Sequence, residues 1–148
     1  MKTIFDTALR EDLIRRIHAL DETDKAQWGK MNLYQMMKHC ILWDEMALAK
    51  KTFRRSLLGR LFGKVALKDF IRDDQPIKKN VPTSRGFIVK EPEGDIVGTK
   101  QKWLELIGEY ENYSIPSIVH PFFGKLTPEQ VGYLAYKHAD HHLRQFNN

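Results

Sequence analysis

Apolar residues recur three or four positions apart along most of the chain, which is the spacing of one face of an α-helix. Leu9, Leu13 and Ile17 form such a stripe near the start of the chain. No stretch of useful length alternates between apolar and polar residues, as a half-buried strand would. The pattern predicts an all-α protein with four main helices, at about residues 6–20, 32–50, 95–113 and 127–146.

Two of these helices have recognisable beginnings. Asn32 can cap the second helix, and Gln35, three residues later, can return the hydrogen bond in a capping box. Thr127 and Gln130 repeat this arrangement at the last helix, where Pro128 takes the first helical position. These starts fix the distance along the helix axis at which each later residue lies.

The connection between the second and third helices is long and lacks a single pattern. Residues 52–73 keep helical spacing but contain two glycines, which weaken a helix, so they predict one or two short basic helices. Residues 75–94 contain three prolines and two glycines, which predict an irregular loop with a short extended piece at 84–90. The link at 113–126 is apolar for a loop and is expected to pack against one end of the helices.

Composition narrows the class of protein. A chain of 148 residues that is 42% hydrophobic and 29% charged suits one domain, here residues 1–148, with a real core and a polar surface. The lone Cys40 excludes a disulfide framework and a cysteine-only zinc knot. Asp6 and Arg10 interrupt the start before a secretory signal could form, and no apolar run approaches the roughly 18 residues of a membrane span. We therefore expect a cytoplasmic protein.

Charge is unevenly distributed along the chain. Residues 50–90 contain twelve Lys/Arg and three acids, a net charge of +9, against −4 for the remainder and +5 overall. A basic face can attract nucleic acid, anionic lipid or an acidic small molecule, and it can equally be a plain solvated surface.

Three of the six histidines fall in the last predicted helix. His138 and His142 are four residues apart, about 40° around the helix axis, so their side chains can share a metal ion. His141 points about 100° away from His142, so both cannot face one ion together with His138. The inner stripe through Val131 and Ala135 continues to His138 and His142, which favours His142 as the ligand. Such a pair on its own is commonly a surface or hydrogen-bonded pair.

A third ligand must come from another helix, and His39 is the candidate. At about 1.5 Å per residue it lies roughly 10 Å from the start of the second helix, while His142 and His138 lie roughly 6 and 12 Å from the end of the last helix. The three imidazoles reach one level only if these helices are antiparallel. That arrangement requires the 51–94 connection to cross over, which predicts a four-helix bundle in up-down-down-up order.

Three segments of the sequence are distinctive: WGKMNLYQMMKHC from Trp28, HPFFGKLT from His120 and YKHADHHLRQF from Tyr136. They resemble the DinB-like superfamily of bacterial four-helix-bundle metalloproteins, and in particular a branch of undefined function. The resemblance implies that His39, His138 and His142 bind a divalent metal ion, with zinc or nickel as the first candidates. It also implies that a homodimer is a reasonable assembly.

Further residues lie close to this candidate site in the sequence. Gln35, one turn before His39, could orient a ligand, although its capping role explains it equally well. His120 precedes a proline and could hang over the site as a proton carrier or help to close the end of the bundle. His141 could relay protons from beside the pocket or make an ordinary hydrogen bond. Cys40 is expected to be a buried, inert thiol.

The first functional hypothesis is a metal-dependent enzyme. Three neutral imidazoles leave coordination positions open for water and substrate. By resemblance the chemistry is that of a transferase, isomerase or hydrolase, with a small-molecule substrate such as a low-molecular-weight thiol. No catalytic acid or base stands out beside the histidines.

The alternative is a non-enzymatic binding or interaction module that uses the basic 50–90 segment. Its cations could contact phosphates, yet the chain contains no recognised nucleic-acid motif and no regular aromatic interleaving, so nucleic acid is not expected. A basic amphipathic helix at 53–71 could instead touch a membrane or a partner. We favour a solvated face or a dimer surface.

Overall fold

The computed structural model describes residues 1–148 and contains five α-helices and one small hairpin. The helices are α1 (Thr7–Ala19), α2 (Leu33–Ala47), α3 (Leu57–Phe70), α4 (Ile96–Glu109) and α5 (Pro128–Gln145), and the strands are β1 (Ile118–His120) and β2 (Gly124–Leu126). α2 packs against α4 and α5, and α1 packs against the same two helices. All four contribute to one buried apolar cluster, while α3 contributes little to it.

The predicted helix starts are confirmed. The Asn32 side chain accepts from the Gln35 amide at 2.9 Å, and Gln35 Oε1 accepts from the Asn32 amide at 3.1 Å. Thr127 and Gln130 make the same reciprocal pair, with Pro128 in the first turn. These capping boxes satisfy amide groups that a helix start otherwise leaves without partners.

The expectation of a purely all-α fold is wrong, because residues 118–126 form an antiparallel hairpin. Ile118 pairs with Leu126 and His120 with Gly124, so the inward side chains of both strands face the helices. Gly124 has φ +89°, a conformation that suits glycine and lets the chain turn back. Strands of three residues are too short to show a clear alternation in the sequence.

The long connection agrees with the prediction in one part and differs from it in another. Residues 57–70 form one helix, as predicted for 52–73, and this helix is the fifth beside the four main ones. Residues 84–90 are not an extended piece, since Arg85–Phe87 is a single turn of 3-10 helix. The Lys137 ammonium of α5 donates to the carbonyl oxygens of Phe70 and Asp73 at 2.8 and 2.9 Å, which fastens the end of α3 to α5.

None of the five α-helices combines the length and the apolar character that crossing a membrane demands.

Candidate metal centre

Three histidines from two helices lie together: His39 of α2, and His138 and His142 of α5. Their ligand nitrogens all lie within 4.8 Å of one another, and the group includes no carboxylate or cysteine. The Nε2 atoms of His39 and His138 are 2.9 Å apart. The ring centroid of His142 lies 4.8 Å from that of His39 and 4.7 Å from that of His138. The structure thus brings together the three residues selected from the sequence.

The two helices run antiparallel past this cluster. Trp43, one turn after His39, stacks on His138, one turn before His142, with ring centroids 5.2 Å apart. Trp28, which precedes α2, accepts a hydrogen bond from Gln145 at the end of α5. Residues later in α2 therefore contact residues earlier in α5, so the two helices are antiparallel. This is the arrangement that places the three imidazoles at one level.

The tautomer of His39 is set by the long connection. Its Nδ1 lies 2.9 Å from the carbonyl oxygen of Phe87. Because a carbonyl only accepts, Nδ1 carries the proton, and Nε2 of the neutral ring presents a lone pair to the cluster. The Phe87 ring also packs edge-on against His39, with centroids 6.1 Å apart. The connection thus both orients and covers this ligand.

His142 is oriented in the same way by Gln145. Gln145 Nε2 donates to the Trp28 carbonyl at 2.7 Å, which leaves Oε1 of the same amide as an acceptor 2.9 Å from His142 Nδ1. The proton of His142 therefore lies on Nδ1, and its Nε2 is free. Histidine ligands of metals commonly donate their other ring nitrogen to such a partner.

The sequence had not singled out Gln145 or the Phe87 carbonyl. Gln145 follows His142 by three residues, about 60° around the helix, and this spacing could have indicated a contact. The Phe87 carbonyl gives no sequence signal, because any residue supplies a carbonyl.

The electrostatics of the cluster keep the rings neutral. Burial lowers the pKa of His39 and lowers the pKa values of His138 and His142 well below their usual range. Mutual repulsion adds to burial, from His142 acting on His138 and from His39 acting on His142. Neutral imidazole is the form that binds metal ions. His138 remains partly exposed, so the cluster is not sealed from solvent.

The other predicted site residues lie beside the cluster and have partners of their own. Gln35 is engaged in the capping box of α2. His120 Nδ1 accepts from the amides of Phe122 and Phe123, both at 3.1 Å, and so holds the hairpin turn. His141 packs against the Trp28 indole, with centroids 5.7 Å apart.

A second buried polar group on α2, which sequence reasoning missed, lies on a different side of the helix. Asp44 is five residues after His39, about 140° around the axis, and faces α4. Its carboxyl oxygens accept from Trp103 Nε1 at 3.0 Å and from the Tyr110 hydroxyl at 2.8 Å. Burial raises the pKa of Asp44 to about 7, although both hydrogen bonds oppose the rise.

The histidine cluster fits a divalent metal ion. Two nitrogens that each bind zinc at 2.0–2.1 Å in tetrahedral geometry lie about 3.3 Å apart. The 2.9 Å between His39 and His138, and the 4.8 Å limit for the set, require only small side-chain movements to match this spacing. Imidazole nitrogen suits zinc and nickel alike. The chemistry of the donor set and the two oriented rings therefore fit such an ion.

Comparisons with known proteins give a family but no activity. Neither the comparison with curated proteins nor that with solved structures found a match. A family model described as "Protein of unknown function (DUF1569)" matches residues 5–148, nearly the whole chain. The chain therefore belongs to the DUF1569 family.

Proposed function

We propose that this protein binds a divalent metal ion through Nε2 of His39, His138 and His142. The observation that carries the proposal is the pair of rings whose Nδ1 protons are held by Phe87 and Gln145, so that their other nitrogens face inward. A histidine buried for packing alone would have both ring nitrogens paired elsewhere in the fold, whereas here the second nitrogens converge on one another. These two oriented rings and the imidazole of His138 form a group of three nitrogen ligands, which is suited to a divalent cation.

The chain's own residues prepare the site in three ways. His39 and His142 are fixed in one tautomer by Phe87 and Gln145, and Trp43 stacks on His138 and limits its rotation. Burial keeps the three rings neutral, so an entering ion meets no imidazolium charge. Two nearby aromatic rings, of Trp43 and Phe87, exclude part of the solvent.

We further propose a metal-dependent transferase, isomerase or hydrolase, acting on a small molecule such as a low-molecular-weight thiol. Three protein ligands leave room for a further ligand, and a bound divalent ion lowers the pKa of a coordinated water or thiol. The resemblance of the sequence to DinB-like metalloproteins supports this class. The packing of α1, α2, α4 and α5 around one core supports a four-helix bundle in up-down-down-up order, with α3 in the crossing connection.

Metal analysis of protein purified without an affinity tag tests the binding proposal. We expect close to one zinc or nickel ion per chain, and chelator-treated protein should gain thermal stability when zinc, nickel or manganese is added. At a free ion concentration 100 times Kd, linkage adds about 2.7 kcal/mol to the free energy of unfolding. Protein that carries no metal and shows no rise in melting temperature with any of the three ions would overturn the proposal.

The thiol proposal needs a separate experiment. Cobalt-loaded protein titrated with a small thiol should develop a sulfur-to-cobalt charge-transfer band if sulfur enters the coordination shell. Titration with the corresponding alcohol is the matched control. Stable cobalt binding with no new band would remove the thiol assignment and leave the metal site in place.

A further inference from the structure

The outer surface of α3 is apolar in a way that metal binding does not explain. Five large side chains between residues 57 and 65 form one stripe along the helix, and each is between 58% and 78% exposed. This outer stripe consists of Leu57, Leu58, Leu61, Phe62 and Val65. Exposed apolar side chains are ordinary when isolated, but a contiguous set marks a surface that another body covers.

The outer stripe faces away from the protein. The packed face of α3 is made by Gly59, Gly63 and Leu67, which are buried. A Cβ at Gly63 would collide with the Phe122 carbonyl oxygen, so the helix approaches the hairpin through its smallest residues. At 100° per residue, the centre of the outer stripe lies roughly 170° from the centre of this packed face. The rest of the chain thus leaves the stripe uncovered.

The charged side chains beside the outer stripe are positive, and the nearest acid, Asp69 one turn after Val65, is paired with Arg72. Between Glu45 and Asp69 the chain contains seven Lys/Arg and no acid. Four of these cations are exposed and take part in no ion pair; they are Arg54, Arg60, Lys64 and Lys68. On the helix, Arg60, Lys64 and Lys68 follow one another along a single flank of the stripe. The face therefore combines an apolar centre with a positive border.

We propose that α3 binds the surface of an anionic lipid bilayer. A helix with Leu and Phe on one side and Lys and Arg beside them lies in the membrane interface with its apolar side among the acyl chains. The long Lys and Arg side chains can reach back to the headgroups. A second copy of the chain is less suited, because pairing two stripes would bring two sets of uncompensated cations together.

The anchoring of α3 supports this assignment. The Ser56 amide donates to the Pro121 carbonyl at 2.9 Å, and Ser56 Oγ caps the helix at the Gly59 amide. Lys137 holds the other end through Phe70 and Asp73. Because the helix is already formed and attached at both ends, binding a membrane requires little further ordering of the chain.

Co-sedimentation of the full chain with lipid vesicles tests the proposal. We expect binding to vesicles of phosphatidylcholine with phosphatidylglycerol, and about tenfold weaker binding, or more, for the double variant Leu61→Gln/Val65→Gln. The matched control is Val97→Gln/Val119→Gln, which replaces two valines that are 66% and 51% exposed elsewhere and should bind as the parent does. All four replaced residues are exposed, so each variant should keep the parent's melting temperature.

A second set of variants tests the positive side chains beside the outer stripe. Lys64→Gln should weaken binding to the anionic vesicles about fivefold, and rising salt should weaken the parent more steeply than this variant. Lys102→Gln, on the exposed side of α4, is the control.

Three results would overturn the assignment. The first is failure of the parent protein to sediment with anionic vesicles, and the second is equal binding to vesicles of phosphatidylcholine alone. The third is a dimer in light scattering that Leu61→Gln/Val65→Gln converts to a monomer, which would identify a second copy as the occupant. None of these outcomes depends on whether the histidine cluster holds a metal ion.

Discussion

The two buried polar clusters on α2 differ in how their hydrogen bonds are completed. Asp44 faces α4 and receives two donors, from Trp103 and Tyr110, so its carboxyl group is satisfied within the protein. His39 faces α5, and its inward nitrogen meets only another imidazole, that of His138. Buried polar groups are normally paired by the fold itself. The Asp44 cluster follows this rule as a structural network, whereas the nitrogens of the histidine cluster converge on one another, as the ligands of a binding site do.

The clusters also differ in where their outer partners point. Phe87 and Gln145 accept hydrogen bonds from Nδ1 of His39 and His142, on the far side of each ring. The Nε2 lone pairs of these two rings therefore point toward the centre of the cluster. At Asp44, both donors point at the carboxyl group itself. Burial alone therefore does not distinguish a site from a structural network, and the direction of the outer hydrogen bonds does.

The largest expected effect is loss of the metal ion in His142→Ala. Removing one of three ligands should leave no ion bound after dialysis, and it should abolish the rise in melting temperature that added metal produces in the parent. His141→Ala is the control, because His141 contacts Trp28 and lies outside the cluster; it should keep the metal. Metal content of the two purified variants decides the matter, and the reverse pattern would make His141 the ligand.

The next effect concerns Asp44 and pH. An ordinary Asp in the unfolded chain has a pKa of about 3.9, whereas in the fold the pKa is about 7, so the unfolded state loses its proton first as pH rises. Stability should therefore fall between pH 4 and pH 7, by up to about 4 kcal/mol, and level off above that range. Its neighbours Cys40 and Tyr110 both have raised pKa values and stay neutral throughout.

Asp44→Asn isolates this contribution, since Asn keeps an acceptor but does not titrate. We expect the stability of the variant relative to the parent to increase from pH 4 to pH 7. Urea unfolding of both proteins in the presence of a chelator measures the difference without a metal contribution. A difference that stays constant with pH would contradict the raised pKa.

Gln145→Leu should weaken metal binding by about 10- to 100-fold without abolishing it, because His142 loses the acceptor that sets its tautomer. Competition against a chromophoric chelator gives the affinity. Gln101→Leu, which replaces an exposed glutamine of α4, should leave the affinity unchanged. Equal affinities for the two variants would show that the outer hydrogen bond does not matter to the site.

The smallest effect is expected for Tyr110→Phe, which removes one donor from Asp44. Near pH 5, where the carboxyl is neutral, the cost in unfolding free energy should be about 1 kcal/mol, and near pH 8 it should increase, because hydrogen bonds to charged groups are stronger. In Tyr113→Phe the lost partner is the Ala47 carbonyl, which does not titrate, so its cost should not vary with pH. Parallel behaviour of the two variants would be evidence against an ionised Asp44 at pH 8.

Local signals in the sequence predicted the helices and the three central histidines. A helix cap acts within a few residues, so Asn32 and Thr127 could be recognised from their neighbours, and regular helix geometry then gave the depth of His39 and His138. The Asp44 network could not be found in this way. Trp103 and Tyr110 are 59 and 66 residues away from Asp44, and nothing near Asp44 in the sequence indicates them.

The pattern of apolar residues also did not show which way the outer stripe of α3 faces. Helical spacing at residues 57–65 is the same whether the stripe faces inward or outward, and the close approach of Gly63 to Phe122 decides that it faces outward. The hairpin was not predicted for a related reason. In the sequence, its inward residues, such as Ile118 and Leu126, cannot be distinguished from the apolar residues of a loop.

The hydrogen bonds that His39 donates to the Phe87 carbonyl and that Gln145 donates to the Trp28 carbonyl also constrain when the site can form. They join residues 48 and 117 positions apart in the chain, and the contact between His39 and His138 spans 99. Contacts between residues so far apart in the chain carry the entropic cost of closing a long loop. During synthesis on the ribosome, the cluster cannot be complete until Gln145 has emerged from the exit tunnel. A metal ion bound by all three histidines would therefore report that α5 has docked against α2.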